Sequence, residues 1–314
     1  MNRRAPLQRL PKLALMITLA GLVACRTVGP DYALPEDSAF KRPAANSAFI
    51  DTGNAQVAAS AELPVRWWSL YQDPVLDGLI DQALRDNLEL KAADAHLRRA
   101  AALYEQALDA GGFDYEAEAG VSRAQLSAES FLLEHELPPI NLADGKFAVS
   151  YQFDLFGKLK RGAEAAHADE QSVAAARDIA RISVVAEVAD NYLEICHANH
   201  ELHVATHSLQ LQQRGRQVTQ RLIAAGRGTA PELARANAQV AMLEAALPPL
   251  QAKRQAAAYS LAALLGQPPG QLPAGVVDCS HAPALQQPLP IGDGRALLAR
   301  RPDVRQAERR LAAA

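Results

Sequence analysis

The sequence predicts a mainly α-helical chain with a small β part: long antiparallel coiled-coil helices plus two β-strands of membrane-spanning length. Three observations carry this. Neither proline nor glycine occurs from Ala163 to Arg214, about 52 residues, which as one helix would span roughly 80 Å. Leu243, Leu247, Leu250, Ala257, Leu261 and Leu264 lie on a second lattice of three- and four-residue steps. Two other segments alternate with a period of two. Composition agrees, because aromatics are only 5% and alanine is abundant, which suits long, closely packed helices better than a broad globular core.

The chain opens with Arg3, Arg4, Arg9 and Lys12 and no acid, followed by an apolar stretch from Leu13 to Val23. That stretch is about 11 residues long, whereas a membrane span needs about 20. A basic start, a short apolar core and small residues at its end describe a secretory signal peptide over residues 1–24. The sequence Leu22-Val23-Ala24-Cys25 resembles the lipobox of bacterial lipoproteins. There the cysteine thiol takes a diacylglyceryl group and the new amino terminus takes a further acyl chain such as palmitate. One acyl chain holds a membrane only marginally, at about 0.8 kcal/mol per buried methylene, and several on one residue form a durable anchor. In such lipoproteins an aspartate after the cysteine favours the inner membrane, so Arg26 implies the outer one. Losing the four cations of the signal segment moves the net charge from −3 to about −7, leaving no basic surplus for nucleic acid. Cys196 and Cys279 would then share an oxidising compartment that permits a bridge. No spacing supports one, so buried free thiols are the expected state.

Residues 25–66 are rich in proline and alanine, with Pro30, Pro35, Pro43 and Pro64 punctuating a stretch that has no apolar period. They read as a lipid-anchored tether. Trp67 to Leu108 reads as helical: Leu76, Leu79, Ile80, Ala83, Leu84 and Leu88 recur at helical spacing, with Asp73 as cap and Pro74 in the first turn. The period then changes. Phe113, Tyr115, Ala117, Ala119 and Val121 alternate with Asp114, Glu116 and Glu118, and Phe147, Val149, Tyr151, Phe153 and Leu155 alternate with smaller or polar residues. The strands are expected at about 113–123 and 146–156, joined by an exposed loop over 122–146 containing Pro138, Pro139, Asn141 and Gly145. An apolar face and a polar face suit either a soluble sheet or the lipid and lumen faces of a membrane barrel, and about nine residues is the length a tilted strand needs to cross a bilayer. Tyr151, Phe153 and Phe156 then form an aromatic girdle, with Asp154 and Glu116 toward the lumen. Two strands cannot close a barrel, and open edges cannot face lipid, so further strands must come from later sequence or from other subunits.

In the long helix Ile182, Val185, Ala189, Tyr192 and Cys196 step by three and four, the seam of a coiled coil. The helix is expected to end near Gly226-Arg227-Gly228. Thr229-Ala230-Pro231-Glu232 then reads as a capping box opening the returning helix, which Pro248 should kink. The hairpin of about 160–266 stops before Pro268-Pro269-Gly270. An internal repeat is visible: Asn87 to Leu97 aligns with Arg301 to Leu311, acid on acid and cation on cation, at an offset of about 214 residues. Residues 67–284 therefore read as one whole repeat and 285–314 as the start of a second, truncated one.

No phosphate loop, zinc-protease motif or nucleophile elbow is present, and the acids spread along helices as solvated faces, so an enzyme is not expected and no cofactor is implied. Cys196, His200, His203 and His207 fall within about 60° on the long helix, beside His197, and their side chains are good transition-metal ligands. They extend over three turns, too far for one compact tetrahedral site, so no metal is expected and a packed or wet helix face is the preferred reading.

Several motifs in order resemble the outer membrane factor family, the TolC-like, NodT-type outer membrane lipoproteins of efflux systems. Cys25 to Tyr32 with Pro35 is similar to that family's mature start. Trp67-Trp68, Asp73-Pro74, Leu76, Leu79-Ile80, Ala83-Leu84 and Asn87 are similar to its first helix. Phe153 to Lys158 is similar to its strand-to-helix junction, Leu264-Leu265-Gly266 with Pro268-Pro269-Gly270 to the end of its first hairpin, and Arg301 to Arg305 with Ala307-Glu308 to its second-repeat start. The resemblance implies a homotrimer with a twelve-stranded barrel in the outer membrane, four strands per subunit, above a long α-helical barrel in the periplasm. It implies a passive duct for drugs or other small molecules, working with an inner-membrane pump and a periplasmic adaptor (a membrane fusion protein). Gly226, Arg227, Gly228 and Thr229 would be the adaptor-contacting tip, Phe147, Val149, Tyr151 and Phe153 the lipid-facing strand residues, and Cys25 the lipidation site. A periplasmic coiled-coil lipoprotein with a structural or adaptor role, or an inactive truncated product, is the alternative.

Overall fold

The computed structural model describes residues 27–46, 57–58, 64–132, 134, 136–290 and 292–314. Cys25 and the signal segment lie outside them. In chain order the elements are β1 (Val57–Ala58), α1 (Pro74–Asp86), α2 (Leu88–Asp109), β2 (Phe113–Ala124), β3 (Ile140–Tyr151), α3 (Lys158–Ala224), α4 (Ala230–Leu264), the short α5 (Ala274–Val277), β4 (Leu289–Pro290), α6 (Gly294–Arg300) and α7 (Pro302–Ala313). The result is mainly helical with a small antiparallel sheet, as the sequence predicts. Two compact units are present: one of the described residues up to Ala33 with Arg98–Ser172 and Glu308–Ala314, the other of Leu34–Leu97 and Val173–Ala307.

The second unit holds the core. Helix α1 starts where its cap is strongest: Asp73 Oδ1 accepts from the amides of Val75 (2.8 Å) and Leu76 (3.0 Å), and Pro74 occupies a position whose amide would have no partner. One face of α1, Leu76, Leu79, Ile80 and Ala83, is buried with Trp68 against Val184, Val185, Val188, Ala189, Tyr192 and Ile195 of α3 and Ala257, Leu261 and Leu265 at the end of α4. The Tyr192 hydroxyl donates to the other oxygen of Asp73 at 2.9 Å. Burial first, and that hydrogen bond second, push the phenol upward in pKa. The predicted seam is therefore largely the buried stripe, but Ile182 is 53% exposed while Val184, Val188 and Ile195 are buried. The stripe is wider than a coiled-coil seam because α3 faces two elements, α1 and α4, instead of one.

Helices α3 and α4 run antiparallel. Lys253 pairs with Glu194, Arg254 donates to Asn199 at 3.4 Å, and Gln213 and Gln212 donate to Glu244 and Gln239 at 3.3 and 2.6 Å, so the partners step in opposite directions. Helix α4 continues unbroken through Pro248 and Pro249. At its end, Gly266 (φ +66°) brings the chain so near α1 that a Cβ would lie 3.0 Å from the Asp86 carbonyl oxygen.

Asn87 separates α1 from α2 and serves three elements. Its amide donates to Ala83 O (2.9 Å), its Oδ1 accepts from the Leu90 amide (2.9 Å), and its Nδ2 donates to Leu264 O (2.9 Å). The aligned residue, Arg301, separates α6 from α7 with the same backbone shape: φ −62°, ψ 113° against φ −58°, ψ 130° at Asn87. Its amide likewise reaches back four residues, to Leu297 O at 3.0 Å. The repeat seen in the residues is thus a repeat of helix, extended residue, helix. Both copies also meet α3 through charge, Asp94 on Arg177 (2.9 Å) and Arg305 on the adjacent Asp178 (3.4 Å).

Three expectations need correction. Cys196 and Cys279 are not free thiols but a disulfide, with Cα atoms 4.8 Å apart; Asn199, one turn along α3, donates to the carbonyls of Val277 (2.9 Å) and Cys279 (2.7 Å) and holds the second cysteine there. The second strand runs Ile140–Tyr151, not 146–156, because Tyr151 already faces Phe113, the first residue of β2, and the positions that would face Phe153 and Leu155, Gly111 and Asp109, lie in the turn and at the end of α2. Correspondingly the loop shrinks to residues 125–139, since Asn141 and Gly145, which look like turn residues, pair with Arg123 and Ala119.

The bridge closes a loop of 83 residues, for which chain entropy gives about 2–5 kcal/mol in practice. The double replacement Cys196→Ala with Cys279→Ala should lower the urea midpoint accordingly, and dithiothreitol should do the same to the parent chain. An unchanged midpoint in both would remove the bridge from the stability of this unit.

Candidate functional site

Two features carry the chemistry that the sequence points to, and each is described within its own unit. The first is the β2–β3 hairpin. Its register pairs Phe113 with Tyr151, Tyr115 with Val149, Ala117 with Phe147 and Val121 with Ala143, so these residues share one face. The opposite face pairs Asp114 with Ser150, Glu116 with Ala148, Glu118 with Lys146 and Gly120 with Asp144, and Lys146 reaches Glu116 at 3.1 Å. Phe113, Tyr115 and Phe147 are 63–71% exposed, far beyond scattered surface apolars. Rings gather at the helix-proximal end, with Phe113 and Phe153 each 4.9 Å from Tyr151 between centroids.

Asp154 does not belong to a strand face. Its carboxylate accepts from the Lys160 amide at 2.9 Å and caps the start of α3. That N–H foremost, with those of Leu159, Lys158 and Gly157, holds its pKa below the usual aspartate range. A carboxylate shortly before a long helix was the available signal, hidden because the alternation runs through it.

The second feature is the turn between α3 and α4. Helix α3 closes with Gly226 in the left-handed region (φ +73°), the amides of Gly226 and Arg227 returning to Ile223 O (2.9 Å) and Leu222 O (2.8 Å). Arg227 is exposed. Thr229 and Glu232 form the predicted capping box, the Thr229 amide donating to Glu232 Oε2 at 2.8 Å, and this backbone hydrogen bond is the main reason the Glu232 pKa lies below its ordinary value. Gly226, Arg227, Gly228 and Thr229 are thus a tight turn closed by backbone hydrogen bonds on both sides. On the histidine face, Cys196 is committed to its disulfide, and the His200 ring lies beside that of His281, 6.0 Å away between centroids. Among the described residues no helix is long and apolar enough to cross a membrane.

A two-faced β-hairpin followed by a long antiparallel helical hairpin is an architecture that this chain shares with a solved outer-membrane channel. The fold superposes on the solved outer-membrane channel OprN with a TM-score of 0.78 and 34% identity, covering 92% of this chain and 62% of that one. The outer membrane efflux protein family model matches residues 79–267, and the chain belongs to that family. Among curated relatives it is 28% identical to Nodulation protein T of Rhizobium leguminosarum bv. trifolii over 294 residues, 91% of this chain and 58% of the relative. It is 30% identical over 323 residues to the pyoverdine export outer membrane protein OpmQ of Pseudomonas putida, 97% of this chain and 63% of the relative. The chain therefore spans about 60% of the length of the relatives it matches.

A folded-state pKa below the ordinary glutamate value of about 4.3 means that the Glu232 contribution is fully present above that value and is lost as pH falls through the lower, folded one. The amide signal of Thr229 in 15N-threonine-labelled protein should accordingly titrate below pH 4.3, and Glu232→Gln should abolish the titration. A midpoint at or above 4.3 would count against the cap.

Proposed function

We propose that this chain forms part of the outer membrane channel of a tripartite efflux system, a passive export duct for drugs or other small molecules. The observation that carries the reading is the hairpin whose one face is aromatic, apolar and exposed, on a chain of the outer membrane efflux protein family. In this reading Phe147, Val149, Tyr151 and Phe153 face lipid, and the Glu116 face lines the lumen. Pairing of β2 and β3 leaves their outer edges open, which lipid does not tolerate; three copies of this hairpin supply six of the twelve strands that the resemblance implies, and the second repeat supplies the rest of the homotrimeric barrel. Cys25 carries the lipid anchor at the outer membrane, and the helices extend into the periplasm. The turn Gly226 to Thr229 meets the periplasmic adaptor, which links it to the inner-membrane pump. The duct has no catalytic role, and substrate choice rests with the pump.

Purified protein in detergent should size as a trimer and give stepwise conductance in a planar bilayer; a soluble monomer without conductance would instead support a coiled-coil lipoprotein without a pore. The two faces make a sharper prediction. An arginine on the lipid face near the bilayer midplane costs about 2–4 kcal/mol, so Phe147→Arg, close to the middle of β3, should abolish stable insertion while Ala148→Arg, one residue away on the other face, is tolerated. Equal protease accessibility of the hairpin in the two variants, reconstituted in vesicles, would contradict the assignment of faces.

A further inference from the structure

Residues 27–32 are held far more closely than a tether requires. The Val28 amide donates to Phe156 O at 3.0 Å. Arg161, in the first turn of α3, donates to Val28 O (3.3 Å) and Gly29 O (2.9 Å) and pairs with Asp31 (2.9 Å), while Glu164 steadies the guanidinium at 2.6 Å. Gly157 makes room: its φ is +81°, and a Cβ there would lie 2.3 Å from Thr27 Cγ2 and 3.1 Å from Thr27 Cα. A side chain at position 157 would thus be strained by its backbone and would also displace Thr27. Further along, the Tyr32 ring packs under the Arg309 guanidinium (5.4 Å), with burial first, and the Glu308 carboxylate beside its hydroxyl second, raising the phenol pKa, while Arg309 donates to Gln171 of α3 at 3.0 Å. This six-residue segment therefore touches α3 of the first repeat and α7 of the second. A planar fork of five donors suits the task of gripping two carbonyls and a carboxylate together, which a lysine ammonium cannot reproduce.

We propose that Thr27–Tyr32 is a strap, clasped by Arg161 and Gly157 at one end and by Glu308 and Arg309 at the other, which fixes the position of the lipid anchor. Cys25 lies two residue steps before Thr27, a reach of at most about 7 Å. Acyl chains on Cys25 would enter the bilayer beside Phe156 and Phe153, both largely exposed, where amphipathic and aromatic side chains favour the interface. The strap converts a loose leash into a short, placed one. The anchoring role, though not the strap contacts, rests on the reading of Cys25 as lipidated.

Hydrogen exchange of the full chain in vesicles, read by mass spectrometry, tests this. The Val28 amide, resolved by fragmentation of a peptide that starts before Thr27, should exchange at least tenfold slower than in an unstructured segment. Arg161→Ala should bring it to the free rate, Arg161→Lys to an intermediate one, while peptides over 184–196 and 257–265 stay unchanged. Asp31→Ala, at a well-exposed position of the tail, provides a milder variant that cannot unfold the helices and should speed exchange about threefold. Free-rate exchange of the Val28 amide in the parent chain, or its slow exchange persisting in both Arg161→Ala and Asp31→Ala, would overturn the strap. The mass of the N-terminal peptide separates the two readings: an unacylated Cys25 with slow exchange removes the anchor and leaves the strap, and an acylated Cys25 with fast exchange does the reverse.

Discussion

The structure depends on one long helix having more apolar face than any single neighbour can cover. Over its buried stretch, α3 presents Val184, Val185, Val188, Ala189, Tyr192, Ile195 and Cys196, a band too broad for a two-helix seam. Helix α4 covers one flank as the returning arm of the hairpin, and α1 covers the other. The hydrophobic term is non-directional, so it explains why these helices collapse together but not why they stop in one register. Register comes from the polar groups at the margin of the band. Asp73 caps α1 with one oxygen and receives Tyr192 with the other, so the start of α1 is tied to one turn of α3. Asn87 does the same for the end of α1, joining it to Leu264 at the end of α4.

The β-hairpin faces the opposite problem. Its apolar residues gather on one face, as in a soluble sheet, yet no described element of its unit covers them: Phe113, Tyr115, Phe147 and Phe153 are 63–76% exposed. A face of this kind in water would be an association hazard, and open strand edges beside it compound the hazard. A lipid environment with closure by further strands resolves both at once. The junction to α3 shows how the chain manages the change of setting, with Asp154 satisfying the amides of the helix start just beyond the last aromatic of the ring cluster.

Much of this was legible in the residues because periodicity reports one-sided burial directly. The helical lattices of Leu76 to Ala83 and of Ala257 to Leu264 name core positions without any knowledge of partners, and the Thr229–Glu232 box identifies a helix start by local chemistry alone. Most of the misreadings share a cause: they depended on something distant in sequence. Ile182 fits the seam but lies outside the band because α1, a remote element, decides where the band falls. Strand β3 could not be bounded until β2 set its partners. The role of Asp154 was masked because a helix cap and a lumen-facing position look alike in an alternating run. Arg161 carries no motif at all, and two of its partners are backbone carbonyls that any sequence would supply.

The disulfide is the clearest case of distant pairing, and it joins two lines of inference that arose separately. Local spacing gave no reason to pair Cys196 with Cys279, since the 83-residue separation takes in the end of α3, the turn and all of α4. Only when α4 returns along α3 and the segment around α5 folds back does Cys279 arrive beside Cys196, guided by Asn199 onto the Val277 and Cys279 carbonyls. Such bridges form and persist chiefly in oxidising compartments. A basic and apolar opening, read as a signal peptide, would direct the chain to one. The proposed export and the bridge between α3 and the segment around α5 are therefore consistent with the same setting.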